Sequence, residues 1–132
     1  MTAGPSYPPS EKNVYCTAPP YIQQGVGAAA VMGEIVRKVS LPIVASIMTA
    51  ELHAIRLAVG IINDTPYSNY VICSDSMSSV QSIDNYTENN HLLHRLVYQM
   101  HESILRGNRI TISWVPSHVG MRGLTKQLGK QR

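Results

Sequence analysis

Three residues of this sequence are of types that do chemistry together: Glu51, Asp75 and His118. Asp75 closes the run YVICSDS at 70–76, which reads as a buried strand ending on a carboxylate. Side chains alternate along a strand, so Val71 and Cys73 share a face with Asp75, and Ile72 and Ser74 take the other. Apolar residues on both faces mark a central strand covered on two sides. In open α/β sheets, ligands bind outside the carboxyl ends of such strands. Glu51 falls in the first turn of the helix predicted just before this strand, and sequential elements tend to pack together. Two carboxylates converging there repel unless one is protonated or a cation bridges them, and Mg²⁺ favours oxygen ligands together with substrate phosphate. His118, past the last predicted strand, is placed for proton transfer. The set points to metal-assisted phosphodiester chemistry. Plain structural roles compete with it: a Glu early in a helix favours the dipole, and an Asp before a helix makes a good N-cap.

The elements that position these residues follow from periodicity. Residues 1–12 carry three prolines, two serines and a glycine and read as a flexible leader. Val14 to Cys16 form a short strand that Pro19 and Pro20 stop. Residues 25–32 and 35–41 are two antiparallel strands joined by a tight turn at Gly33 and Glu34. Met48, Leu52, Ile55, Val59 and Ile62 then recur at helical spacing, with Ser46 or Thr49 as cap. After the central strand come a short helix at 77–83 and a longer one at 91–106, striped by Leu93, Val97, Met100 and Ile104. Gly107 and Asn108 stop it. Ile110, Ile112 and Trp114 alternate through a last strand at 109–115, closed by Pro116. The order β-β-β-α-β-α-α-β describes one α/β domain at 13–118, with 119–132 a basic loop and tail.

Composition narrows the class. A chain of 132 residues with 44% hydrophobic content suits one folded domain. A net charge of +3 permits a polyanionic partner. Cys16 and Cys73 give no disulfide framework and fit a reducing compartment. No apolar run approaches a membrane span and the start is not a secretory signal, so the expected location is intracellular, cytoplasmic or nuclear.

Four ordered blocks carry a resemblance: GVGAAAV (25–31), TAELHAIRLAV (49–59), YVICSDSMSSV (70–80) and ITISWVPSHVG (110–120). Over roughly 13–123 the chain resembles a type 1 ribonuclease H domain of the kind carried by non-LTR retrotransposons. The resemblance implies a mixed five-stranded sheet with helices on both faces and endonucleolytic cleavage of the RNA strand of RNA–DNA hybrids. It further implies two divalent ions, Mg²⁺ or Mn²⁺, held by four carboxylates. Glu51 matches the helix carboxylate, Asp75 that of the central strand and His118 the mobile-loop histidine. Met77 matches, weakly, a position beside the minor groove. Other domains of a retroelement polyprotein are the implied partners besides nucleic acid.

The chain departs from that pattern twice. Where the family has a TDGS-like segment, CTAPPYIQQ at 16–24 contains no Asp or Glu, and neither Thr17 nor Gln23 replaces an anionic ligand. After WVPSHVGMRG the family continues as NExAD and a helix, whereas LTKQLGKQR follows here, so the C-terminal helix is expected to be missing. Two carboxylates against two divalent ions predict weak metal binding and impaired cleavage. Alternatives are a non-catalytic nucleic-acid-binding module and a structural remnant of a retroelement polyprotein. His91, His94 and His101 share a helix face that cannot wrap a zinc ion alone. They read as a partly exposed, solvated polar face, with a phosphate-backbone contact alongside Arg95, Arg106 and Arg109 as the lesser alternative. Ser117–His118 lacks a nucleophile elbow, and Gly25-Val26-Gly27 lacks the third glycine of a dinucleotide site.

Overall fold

A computed structural model describes residues 11–18, 26–42, 45–66, 68–86 and 90–116. Its elements, in chain order, are β1 (Glu11–Thr17), β2 (Val26–Met32), β3 (Ile35–Leu41), α1 (Ile47–Asn63), β4 (Asn69–Ser74), α2 (Met77–Asp84), α3 (His91–Leu105) and β5 (Arg109–Trp114). The strands form one mixed sheet ordered β3-β2-β1-β4-β5. β1 to β3 are antiparallel neighbours, while β4 runs parallel to both β1 and β5. β1 is longer than the segment 14–16 that local pattern predicts, because Glu11 and Lys12 find partners in Asn69 and Tyr70.

Met32 pairs with Ile35, leaving Gly33 and Glu34 as a two-residue turn. Gly33 takes φ +60, as the primed hairpin turns require at their first central position. Ser46 caps α1, its hydroxyl accepting the Thr49 N–H at 3.1 Å. At the other end, the Thr65 hydroxyl donates to the Ile61 and Ile62 carbonyls and bonds the Tyr70 hydroxyl at 2.7 Å. This ties the end of α1 to the start of β4.

α3 ends in a Schellman motif. The Asn108 N–H reaches the Ser103 carbonyl, the Gly107 N–H reaches that of Ile104, and Gly107 has φ +116. Asn108 is itself buried, its amide donating to Ser103 Oγ at 3.0 Å and its oxygen accepting the Ser68 N–H at 3.3 Å. The starts of β4 and β5 are thereby pinned side by side, and their register carries that alignment to the opposite ends.

The main core joins Val14, Cys16, Ala28, Ala30 and Ile72 of the sheet to Leu52, Ile55, Ala58, Val59 and Ile62 of α1 and Leu93 and Leu96 of α3. Val31, with Tyr15, Val36 and Val115, forms a smaller cluster. Tyr15 and Val31 alternate with Val14, Cys16 and Ala30 and so belong to the opposite face of the sheet. The expected loss of the C-terminal helix concerns 119–132, outside the described residues.

Ile55 is fully buried at the centre of the helical stripe. Ile55→Ala should cost about 2–5 kcal/mol through lost transfer energy and the cavity left behind. Ile47→Ala, at a position 74% exposed, should stay within about 0.5 kcal/mol. Urea midpoints at unchanged m-value measure both, and equal effects would contradict this placement of the core.

Candidate active site

The site is built at the carboxyl ends of β1 and β4. Their register sets Cys16 opposite Ser74. One step further, Thr17 is level with Asp75. β4 ends at Ser74, so Asp75 stands just beyond the ladder. The backbone around it is held on several sides. The Trp114 indole N–H donates to the Asp75 carbonyl at 3.3 Å, the Val115 N–H to the Ser74 carbonyl at 2.9 Å, and the Ser76 N–H to Ser74 Oγ at 3.1 Å.

Asp75 is not the cap of α2. That role belongs to Ser76, whose hydroxyl accepts the Ser79 N–H at 3.3 Å. The carboxylate of Asp75 is therefore not spent on the helix end. Glu51 is also displaced from its expected place. With Ser46 as cap and Ile47 first, Glu51 is the fifth helical residue, and the first turn of α1 is without acid. A dipole role there loses its basis, since the effect fades beyond the first turn.

Glu51 is only 6% exposed, and its Oε2 has no hydrogen-bond partner among the described residues. Its carboxyl is pushed up to about 7, first by burial and then by the charge of Asp75, against the Ala18 backbone N–H that donates to it. Burial also raises Asp75 above the ordinary carboxylate range. The two carboxylates thus feel each other, as the sequence anticipates.

Beneath them is a feature that sequence reading missed. Cys16 is fully buried, and its thiol is raised by burial and by the charges of Glu51, Cys73 and Asp75. Sγ donates to the Ala54 carbonyl at 3.5 Å, bracing β1 against α1 one helical turn below Glu51. A neutral thiol adds no charge to the pair. The Trp114 bond to Asp75 was equally invisible, because it depends on the register of β5.

Met77, the first residue of α2, is 45% exposed beside this edge. His118 and the basic tail are outside the described residues. Among the described residues no three His, Cys, Asp or Glu side chains converge on a common point. His91, His94 and His101 accordingly form no such cluster.

The donor set still fits a hard cation in part. Two oxygen-bearing groups whose negative charges oppose each other, one with an unpartnered buried oxygen, suit a single divalent ion. They supply half of what a two-ion site would take. Thr17, at the end of β1, offers no charge where it is level with Asp75.

Strand order and mixed pairing give an α/β domain with the ribonuclease H-like fold. Residues 9–126 match the family model described as RNase H, and the chain belongs to that family. Two solved structures share its fold. One is the crystal structure of RNase H1 from the halophilic archaeon Halobacterium salinarum, with TM-score 0.60 and 18% identity over 81% of this chain and 86% of that one. The other is the N-terminal RNase H domain of rv2228c from Mycobacterium tuberculosis, with TM-score 0.63 and 14% identity over 92% and 99%. No curated protein sequence matches.

The raised Glu51 carboxyl makes stability depend on pH. The native group holds its proton up to about 7, whereas an ordinary one releases it near 4.5. The native state therefore binds more protons between these values, and stability falls as pH rises through them. In metal-free protein the loss should be roughly 2–3 kcal/mol. Glu51→Gln should remove most of that slope and be more stable than the parent at about pH 8. Urea titrations across the range test this, and equal slopes in the two proteins would refute it.

Proposed function

We propose that this chain is a ribonuclease H-type domain that binds RNA–DNA hybrids and cleaves the RNA strand slowly, with Glu51 and Asp75 as its surviving metal ligands. The convergence of these two carboxylates, with Glu51 Oε2 unpartnered, carries the reading. A bound Mg²⁺ or Mn²⁺ would supply Lewis-acid stabilisation of charge at the phosphate oxygens. The chain's own part is to hold that charge. Burial keeps Glu51 poorly solvated and Asp75 is partly buried, so the pair gains more from a cation than exposed acids would. The backbone bonds from Trp114 and Ser76 restrain Asp75. His118 is assigned proton transfer, and Met77 contact with the minor groove.

Impairment follows from Thr17. Level with Asp75, a threonine hydroxyl adds no charge, so two carboxylates balance only half the charge of a two-ion site, and affinity for the second ion and turnover are both low. The same observation favours a second reading, in which hybrid binding persists through shape and phosphate contacts without turnover. The four-block resemblance supports an origin as one domain of a non-LTR retrotransposon polyprotein, working where such proteins meet nucleic acid, in cytoplasm or nucleus. No helix among the described residues is long and apolar enough to cross a membrane.

Cleavage of an end-labelled RNA–DNA hybrid with Mg²⁺ or Mn²⁺ tests this. The parent should cut slowly, and Asp75→Asn should lower the rate at least about 100-fold, some 2.7 kcal/mol in barrier. Thr17→Asp, combined with an NExAD tail, should raise it at least about tenfold. Cutting that survives Asp75→Asn would sink the assignment. Binding without cutting in all variants would leave the second reading.

A further inference from the structure

We propose that the groove between α1 and α3 is a second nucleic-acid contact, which takes a single-stranded segment leaving the hybrid. The proposal rests on the reading that this domain binds nucleic acid, and it adds a surface to that reading.

Two adjoining cavities, of about 440 and 530 Å³, share Arg56 of α1 and Arg95 of α3. The first extends to His94 and Tyr98 on α3, the second to His53 on α1 and His91 on α3. Neither arginine makes a hydrogen bond or ion pair among the described residues. Two unpaired guanidiniums facing one groove leave positive charge uncompensated, and Glu102 is the single acid in its lining. Arg56 also lowers the proton affinity of His53, after burial, so its field reaches into the groove.

An aromatic platform accompanies the charge. Tyr98 is 62% exposed at the groove, and nearby Tyr86 stacks on His94 with ring centroids 6.1 Å apart and hydrogen-bonds its Nδ1. Cationic lining interleaved with accessible rings is what sequence-tolerant single-strand sites use, arginine on phosphate and ring on base. A second copy of this chain is a poor occupant, since like charges would meet across the interface.

Length and position agree with this. His91 to Glu102 spans about 16 Å of helix at 1.5 Å per residue. If the strand keeps the roughly 3.4 Å stacked rise it had in the duplex, that accommodates about four or five nucleotides, and fewer if it is extended. Thr49, on the groove's rim, is two residues from Glu51. The groove therefore begins at the end of α1 that carries the catalytic carboxylate, but on another stripe of the helix. A strand emerging from a hybrid at that edge would enter it.

The test compares binding of a blunt RNA–DNA hybrid of about ten pairs with the same hybrid bearing a five-nucleotide single-stranded overhang, in both polarities. Fluorescence anisotropy is read over a salt series for the full chain, the double variant Arg56→Gln with Arg95→Gln, and Tyr98→Ala. In the parent, one overhang should tighten binding about tenfold. The double variant should lose that gain, keep its affinity for the blunt hybrid, and show a salt slope on the overhang substrate smaller by about 1.4, two single-strand phosphates. Tyr98→Ala should lose about tenfold on the overhang alone. Circular dichroism confirms that each variant is folded. Blunt-hybrid binding with no overhang gain, or a gain untouched by the double variant, overturns the groove and leaves the proposed function standing. Binding to neither substrate overturns both.

Discussion

Everything about this domain depends on holding two carboxylates near each other in a place that solvates them poorly. Left to themselves, Glu51 and Asp75 would separate or stay protonated, and the Glu51 carboxyl is raised first by burial and then by that opposition. Such an arrangement persists only where the surrounding fold over-determines it. Here Asp75 is fixed by the parallel pairing of β4 with β1 and β5, and Glu51 by a helix whose stripe is buried against the same strands. The destabilisation is local and electrostatic, while the core that offsets it is apolar and extends across the sheet.

The opposite end of the sheet does much of the positioning. Asn108 closes α3, starts β5 and receives the Ser68 N–H just before β4. Thr65 and Tyr70 bind the end of α1 to the same region. With these ends fixed, register alone decides which residues are level at the other. Cys16 pairs with Ser74, which puts Thr17 and Asp75 one step beyond the ladder, and Trp114 comes within reach of the Asp75 carbonyl. A one-residue slip would turn every side chain of a strand to the other face, so the site is only as well placed as those remote ties.

Elements governed by local signals were legible in the sequence. The stripe of Met48, Leu52, Ile55, Val59 and Ile62 marks α1, β3 has the bounds 35–41 expected after the turn at Gly33 and Glu34, and Ser46 is one of two anticipated caps. What depended on distant partners was not. β1 gains Glu11 and Lys12 from pairing with β4, and local propensity carries no trace of that. Asp75 and Ser76 are both good caps by type, and the choice of Ser76 depends on where β4 stops. The carboxylate pair was inferred from sequential packing and from family resemblance, but its burial and the thiol of Cys16 beneath it require the three-dimensional register. Arg56 and Arg95 belong to different helices, so no single periodicity could show them sharing a groove.

Catalysis and binding place different demands on this scaffold. Cleavage by metal ions needs negative charge concentrated at one point, and a neutral residue such as Thr17 contributes none. Binding needs positive charge spread along a surface, where each contact adds modestly and none is indispensable. The groove residues share little with the carboxylate edge: Arg56, Arg95 and Tyr98 are on outward stripes of α1 and α3, whereas Glu51 belongs to the buried one. A change at the carboxylate edge therefore leaves the lining of the groove in place. A domain of this family can shed turnover and keep a nucleic-acid surface, because the core that supports both is indifferent to which of them is in use.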